Sequence, residues 1–146
     1  MQMRNAHWRE SLRILQEIKR QNLDPDIITY TTAISRCAKG KQLEIVMDLL
    51  GEMKSRGVEP NVRTFTAAID ACAKVAQWQI ALRLLDDMQD EGVKPNAISF
   101  SAAIDACGKG GQWEIALRLL DDMLNQGVRP DAISFNAAID ACSKSG

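Results

Sequence analysis

Apolar positions along the chain recur with the spacing of an α-helix. In the stretch from Ala97 to Asp131, two runs place apolar residues at i, i+3 and i+4 and again one turn later. The first run is Phe100, Ala103, Ile104 and Cys107, and the second is Trp113, Ala116, Leu117, Leu120 and Met123. No stretch sustains the strict alternation of a half-buried strand, so the pattern predicts an all-α protein.

Glycine and proline positions predict where these helices end. Gly110 and Gly111 separate the two runs, and Gly127 followed by Pro130 closes the second. Each pair of runs should therefore form an antiparallel helical hairpin with short turns. We call the first helix of such a hairpin helix A and the second helix B.

The hairpin pattern repeats with a constant period of 35 residues, as the prolines Pro25, Pro60, Pro95 and Pro130 show. It defines complete units at 27–61, 62–96 and 97–131, with a partial unit holding a helix B at 5–26 and another holding a helix A at 132–146. One hairpin cannot bury both of its apolar stripes, so the units must stack into an α-solenoid. Because the pattern starts and stops within a unit, we expect a fragment of a longer array.

The composition of the chain indicates which kinds of partner and cofactor to expect. With 18 Lys+Arg against 19 Asp+Glu, the net charge is -1, so any polyanion must be met by local charges. No apolar stretch is long enough for a membrane span, which predicts no membrane partner. The four cysteines are each 35 residues apart, at Cys37, Cys72, Cys107 and Cys142. This spacing indicates one packing position that recurs in every unit, with a reduced and buried thiol, and it is not typical of a metal site or a disulfide framework. We therefore expect no metal and no cofactor.

Catalytic constellations are not apparent in the sequence. The sole histidine is His7, so no Ser/His/Asp or Cys/His arrangement can recur with the units. The paired carboxylates Asp86-Asp87 and Asp121-Asp122 are typical of a solvated helix face. The sequence therefore predicts a binding protein and not an enzyme.

Several features of the unit together resemble the pentatricopeptide repeat. An aromatic residue opens helix A at Phe100, a basic residue closes it at Lys109, helix B reads AL.LL..M from Ala116 to Met123, and the unit ends in Gly127 to Asp131. The resemblance covers nearly the whole chain and departs from the common form in the tryptophan that opens helix B at Trp8, Trp78 and Trp113. It implies a monomeric protein wound into a right-handed superhelix, in which each unit binds one base of single-stranded RNA.

The resemblance also implies which side chains read each base. They are the residue after the aromatic of helix A, at Thr31, Thr66, Ser101 and Asn136, and the residue after the closing proline, at Asn61, Asn96 and Asp131. A carboxylate can accept the N–H donors of guanine, whereas a carboxamide suits the donor and acceptor of adenine. On the family's rules the three complete units would bind 5'-AAG-3', and Asn136 would favour a pyrimidine next. The alternative for the second set is that they are simply helix N-caps.

Two further sets follow from the resemblance. The residues that would sandwich the bases are Ile28, Arg63, Ile98 and Ile133, where Arg63 departs from the family's aliphatic residue but could stack through its guanidinium plane. The residues that would contact phosphates are Lys39, Lys74, Lys109 and Lys144. An alternative for these lysines is that they complement the helix dipole and pair with a carboxylate four residues earlier.

Two other functions stay open from sequence. A solenoid of the tetratricopeptide type would use the same surface to bind a protein or peptide, which the neutral net charge favours. An array this short could also lack activity of its own. The family resemblance further implies work on transcripts in the mitochondrion or plastid.

Overall fold

The protein is a stack of helical hairpins. The computed structural model describes residues 3–144, with side chains described for residues 7–143. Within this range it contains eight α-helices and no strand: α1 Met3–Arg20, α2 Ile27–Lys39, α3 Leu43–Ser55, α4 Val62–Lys74, α5 Trp78–Asp90, α6 Ala97–Lys109, α7 Trp113–Asn125 and α8 Ala132–Lys144. This confirms the all-α class, although the exact unit boundaries stay a prediction.

Left-handed residues end the helices at fixed places in the unit. Gly111 has φ of 76° in the turn between α6 and α7, and Gly127 has the same φ after α7. Glycine adopts this conformation without the steric cost that a Cβ brings. Lys41 and Ala76 occupy the position of Gly111 in the other two units, at φ of 60° and 57°. The turn geometry is thus preserved even where glycine is absent.

The helices A, namely α2, α4, α6 and α8, pack side by side in one layer, and each helix B packs against its own helix A and the next one. Small residues make the helix A layer tight. A Cβ added at Gly108 of α6 would lie 2.9 Å from the Cβ of Ala141 in α8. The interdigitated layer forms a continuous surface that crosses all the units.

The predicted core of helix A is confirmed within α6, where Phe100, Ala103, Ile104 and Cys107 are all buried. Helix B is less regular. Leu119 of α7 is buried although it was not in the predicted stripe, and Leu117 is 36% exposed although it was. The expectation for Leu117 was wrong because this position lies at the margin of the buried face, where Leu82, its equivalent one unit earlier, is also only partly buried.

The cysteines divide in the same way. Cys37, Cys72 and Cys107 are buried and free, and burial raises the pKa of each thiol, to about 11, 12 and 11 respectively. These three are inert packing residues, as expected. Cys142 is exposed, which corrects the expectation of four buried thiols, since α8 is the last helix described.

Two features are missing from the described residues: a helix that could span a membrane and a cluster that could bind a metal ion. Among the described helices, none has the length and apolar character needed to cross a membrane. Residues 3–144 also contain no group of three or more His, Cys, Asp or Glu side chains that could hold a metal ion.

Candidate nucleic-acid interface

Stacking of the units brings together the two predicted base readers of each unit, although 30 residues separate them. Thr66 is the fifth residue of α4, while Asn96 immediately precedes α6 and caps it. Because α4 and α6 are neighbours in the helix A layer, both residues meet at the same edge of that layer. The pairs Thr31 with Asn61 and Ser101 with Asp131 are placed in the same way.

Each second reader is a helix N-cap, as the alternative interpretation predicted. The Oδ1 atoms of Asn61 and Asn96 accept from the backbone N–H groups of Thr64 and Ser99, at 3.1 and 3.0 Å. Asp131 accepts from the Ser134 N–H at 3.0 Å. Capping uses only one side of each side chain, so it leaves the other side for a ligand.

A buried hydroxyl joins the two readers of every complete unit. Thr31 Oγ1 lies 2.8 Å from Thr64 Oγ1, and Thr64 Oγ1 donates to Asn61 Oδ1 at 3.0 Å. In the next two units the corresponding hydroxyls are those of Ser99 and Ser134. All three joining residues are fully buried, with no exposed area.

Sequence reasoning missed these joining hydroxyls. Thr64, Ser99 and Ser134 each stand three residues after an Asn or Asp that caps a helix, which is the spacing of a capping box. That spacing is visible in the sequence. The contact to the preceding unit is not, because it depends on how closely two helices A pack.

An open groove of about 690 Å³ runs along the helix A layer. Its lining includes Thr31, Thr66 and Asn96 from the predicted base readers, with Arg63 and Ile98 from the predicted sandwich. A second, smaller niche of about 120 Å³ lies at one edge of the layer, between Ile28 and Arg63, and is lined by Thr31 and Asn61. This niche therefore brings together both base readers of the unit 27–61 and two of the predicted sandwich residues.

The predicted sandwich residues are strongly exposed for apolar side chains. Ile28, Ile98 and Ile133 are 71%, 63% and 65% exposed, and Arg63 is also exposed. A large apolar side chain that recurs in solvent at one register is typical of a binding surface. Their role toward a base stays a prediction.

The predicted phosphate contacts differ from unit to unit. Lys74 and Lys109 each form an ion pair of 3.2 Å with Asp70 and Asp105, four residues earlier. Lys39 has Ser35 at that place, and within the described chain it makes no ion pair. The side chain of Lys144 lies outside the described residues. Lys39 thus carries uncompensated charge at the groove.

Arg36 adds to this charge, since it lines the same groove as Lys39. Sequence reasoning missed Arg36 because alanine holds this position in the following units, so the repeat pattern gives no signal there. A neighbouring hollow towards α8 is lined by the carboxylates of Asp70, Asp105 and Asp140, and Asp70 also lines the first groove. The basic residues Arg36 and Lys39 therefore lie only towards α2, whereas carboxylates line both hollows.

The remaining predicted groups lie apart from this surface or in its last unit. Asn136 lines the hollow towards α8 near Ser101 and Ile133. A hydrogen bond from the Ser134 backbone, followed by one from its hydroxyl, lowers the pKa of Asp131, which is therefore a carboxylate at neutral pH. His7 is exposed on α1.

Comparison with known proteins agrees with this architecture. The family model described as "Pentatricopeptide repeat domain" matches residues 13–75, 49–110 and 83–145. Comparison of the sequence with curated proteins gives no match.

Two solved structures have a similar fold over nearly the whole chain. The pentatricopeptide repeat protein PPR10, in complex with an 18-nucleotide psaJ RNA element, superposes with a TM-score of 0.84 at 26% identity, over 96% of this chain and 21% of PPR10. The chain thus spans about a fifth of that relative. The corresponding domain of Arabidopsis thaliana protein-only RNase P 1, in complex with tRNA, superposes with a TM-score of 0.83 at 20% identity, over 96% of this chain and 74% of that one.

Proposed function

This chain belongs to the pentatricopeptide repeat family, and we propose that its helix A surface binds single-stranded RNA with one base per unit. The observation that carries the proposal is the niche between Ile28 and Arg63. A base inserted there would be flanked by an apolar and a guanidinium surface, with Thr31 and Asn61 facing its edge. PPR10 and protein-only RNase P 1, which share the fold, are both known in complexes with RNA.

The three complete units would prefer 5'-AAG-3'. Thr31 with Asn61, and Thr66 with Asn96, each combine a hydroxyl with a carboxamide, which suits the donor and acceptor of adenine. Ser101 with Asp131 combines a hydroxyl with a carboxylate, which suits the N–H donors of guanine. We further propose that the parent protein binds organellar transcripts in this way, and that this array holds RNA without cleaving it.

The affinity of this short array should be modest. Base stacking contributes roughly 1 to 3 kcal/mol per base, and ordering of the strand offsets part of it. A dissociation constant on the order of micromolar is therefore expected. Such an affinity is measurable by fluorescence polarisation at a stated low salt concentration.

The first prediction tests the third base. Wild-type protein should bind a labelled RNA containing AAG more tightly than RNAs changed at any one of these bases, and Asp131→Asn should move the third preference from guanine to adenine by about tenfold. The reason is that the carboxamide can donate to the adenine ring nitrogen, which the carboxylate cannot. Fluorescence polarisation against all four bases at that position measures the change.

A matched control is available in Asp26→Asn. Asp26 caps α2 by accepting from the Thr29 N–H at 2.9 Å, so the chemical change at the cap is the same, but Asp26 has no first reader in this chain. The control should leave all three base preferences unchanged. Binding that ignores sequence in the wild type would contradict the proposal.

The second candidate function is a scaffold for a protein or peptide. The net charge of -1 and the pairing of Lys74 and Lys109 with carboxylates favour it, because this surface then has little excess positive charge to attract phosphate. In that case Asp131→Asn would leave partner binding intact and RNA binding would be absent or sequence-blind.

A further inference from the structure

We propose that the buried hydroxyls of Thr64, Ser99 and Ser134 are positioning residues, which fix the hydrogen-bonding atoms that each pair of base readers presents to RNA. The proposal deepens the RNA-binding function and rests on it. Each joining hydroxyl has one proton and two lone pairs to share among its neighbours, as at Ser99.

Ser99 Oγ has one proton and two lone pairs. It donates to Asn96 Oδ1 at 2.9 Å and accepts from the Asn96 backbone N–H at 3.2 Å. Its proton is therefore committed, so Thr66 Oγ1, at 3.0 Å, must be the donor in the bond between the two hydroxyls. Ser99 is fully buried, so water does not compete for these bonds.

These bonds fix the orientation of the Asn96 carboxamide. Its Oδ1 accepts from both the N–H and the hydroxyl of Ser99, at 3.0 and 2.9 Å, so a flipped amide would set its NH2 against two donors. The NH2 group is therefore the part left for a ligand. Because the Thr66 proton points to Ser99, Thr66 presents only its lone pairs outward. The unit 62–96 thus offers one donor and one acceptor.

The same bonds give the unit 97–131 a different pattern. Ser101 Oγ lies 2.8 Å from Ser134 Oγ, and Ser134 Oγ donates to Asp131 Oδ1 at 3.0 Å. The groups left for a ligand are then the lone pairs of Ser101, which is 6% exposed where it lines the hollow towards α8, and the second carboxylate oxygen of Asp131. This unit therefore offers acceptors only. An amino donor beside a ring acceptor, as in adenine, matches the unit 62–96, and the two adjacent N–H donors of guanine match the unit 97–131.

The test is base selectivity at the second position of AAG. Ser99→Ala removes the joining hydroxyl, so the Thr66 proton loses its acceptor and the Asn96 amide is held only by the backbone N–H of residue 99. We expect discrimination between adenine and the other bases to fall about fivefold there, since one hydrogen bond is worth roughly this factor, with the first and third preferences unchanged. Ser99→Thr should keep full selectivity, because Thr64 performs the same task in the preceding unit.

Thr29→Ala is the matched control. Thr29 donates to the cap residue Asp26 through the same pair of bonds, from its N–H and its hydroxyl, both 2.9 Å, but in the described chain it joins no first reader. It should cost a similar amount of stability, followed by thermal unfolding, and leave selectivity unchanged. If Ser99→Ala does not fold, Ser134→Ala in the last described helix makes the same test with guanine at the third base.

The outcomes separate the two claims. Wild-type protein without preference for AAG would overturn the RNA-reading function and this inference together. Wild-type protein that prefers AAG, with Ser99→Ala weakened equally for every base, would overturn the positioning role alone and leave Ser99 as a cap. Loss confined to the second base, and restored by Ser99→Thr, supports the proposal.

Discussion

The first complete unit, 27–61, differs from the units after it at the start of helix B. That position holds Leu43 here but Trp78 and Trp113 in the next two. Trp78 packs on Gly110 of the following unit so closely that an added Cβ would lie 2.2 Å from its ring, whereas Leu43 lines a shallow hollow together with Val75. The large side chain of Trp78 thus faces a glycine, whereas the medium-sized side chains of Leu43 and Val75 face each other. The fit between units therefore depends on both residues of such a pair together and not on either one alone.

The units also differ in the polar bridges on the helix B side. Glu52 of the first unit accepts from Lys19 and from the Tyr30 hydroxyl, both at 2.8 Å. A second pair of positions on this side holds an ion pair of 2.7 Å between Lys54 and Glu91. One unit later the same positions hold a neutral bond of 3.1 Å from Gln126 to Gln89. Phenylalanine replaces Tyr30 in both later units, so the tyrosine contact to Glu52 belongs to the first unit alone.

The largest expected effect comes from breaking the size match. Gly110→Val should lower the free energy of unfolding by about 1 to 3 kcal/mol, because the new side chain meets Trp78. Adding Trp78→Leu recreates the Leu43 and Val75 pair and should restore most of the loss. Urea unfolding of both single variants and the double variant measures the coupling. Additive costs in the double variant would show that the pair does not act as a unit.

The fold was predictable from sequence because its evidence is periodic. Phe100 and Pro130 stand at positions that hold an aromatic residue and a proline every 35 residues, so each unit supports the interpretation of the next. What the sequence could not predict depends on contacts between units. The bond from Thr66 to Ser99 and the exposure of Leu117 follow from helix packing, which no single amphipathic stripe encodes.

The base-reading and phosphate-contacting roles came from the family resemblance and not from periodicity. The residues alone allowed Asn96 to be a cap, and the structure shows that it is one. The ion pair of Lys109 with Asp105 was, in contrast, predictable from their spacing of four. Physical reasoning therefore gave the local partners, while the ligand stays a proposal.

A smaller effect is expected from the charge difference between units. Lys39→Ala should weaken RNA binding about threefold and reduce the salt slope by about 0.7, because an unpaired lysine releases one counterion on meeting a phosphate. Lys109→Ala, the control, should change binding little, since Asp105 already compensates its charge. Polarisation titrations at several salt concentrations measure both. Equal losses in the two variants would contradict the distinction between units.

The smallest expected effect concerns the charged bridge of the first unit. Burial opposes ionisation of Glu52, but hydrogen bonds from Lys19 and Tyr30 outweigh it and lower the pKa of this carboxyl below its usual 4.5. A lowered pKa in the folded state means that the stabilisation is complete above about pH 4.5 and is lost as the pH falls through the folded value. Glu52→Gln should therefore be less stable than wild type at pH 7, by under about 1 kcal/mol because the pair is partly exposed, and the gap should close on acidification. Gln89→Ala in the neutral bridge serves as the control, since its cost should not change with pH. Urea unfolding between pH 7 and pH 3 distinguishes them, and a Glu52→Gln gap that persists at pH 3 would mean that shape, and not charge, makes the first bridge stabilising.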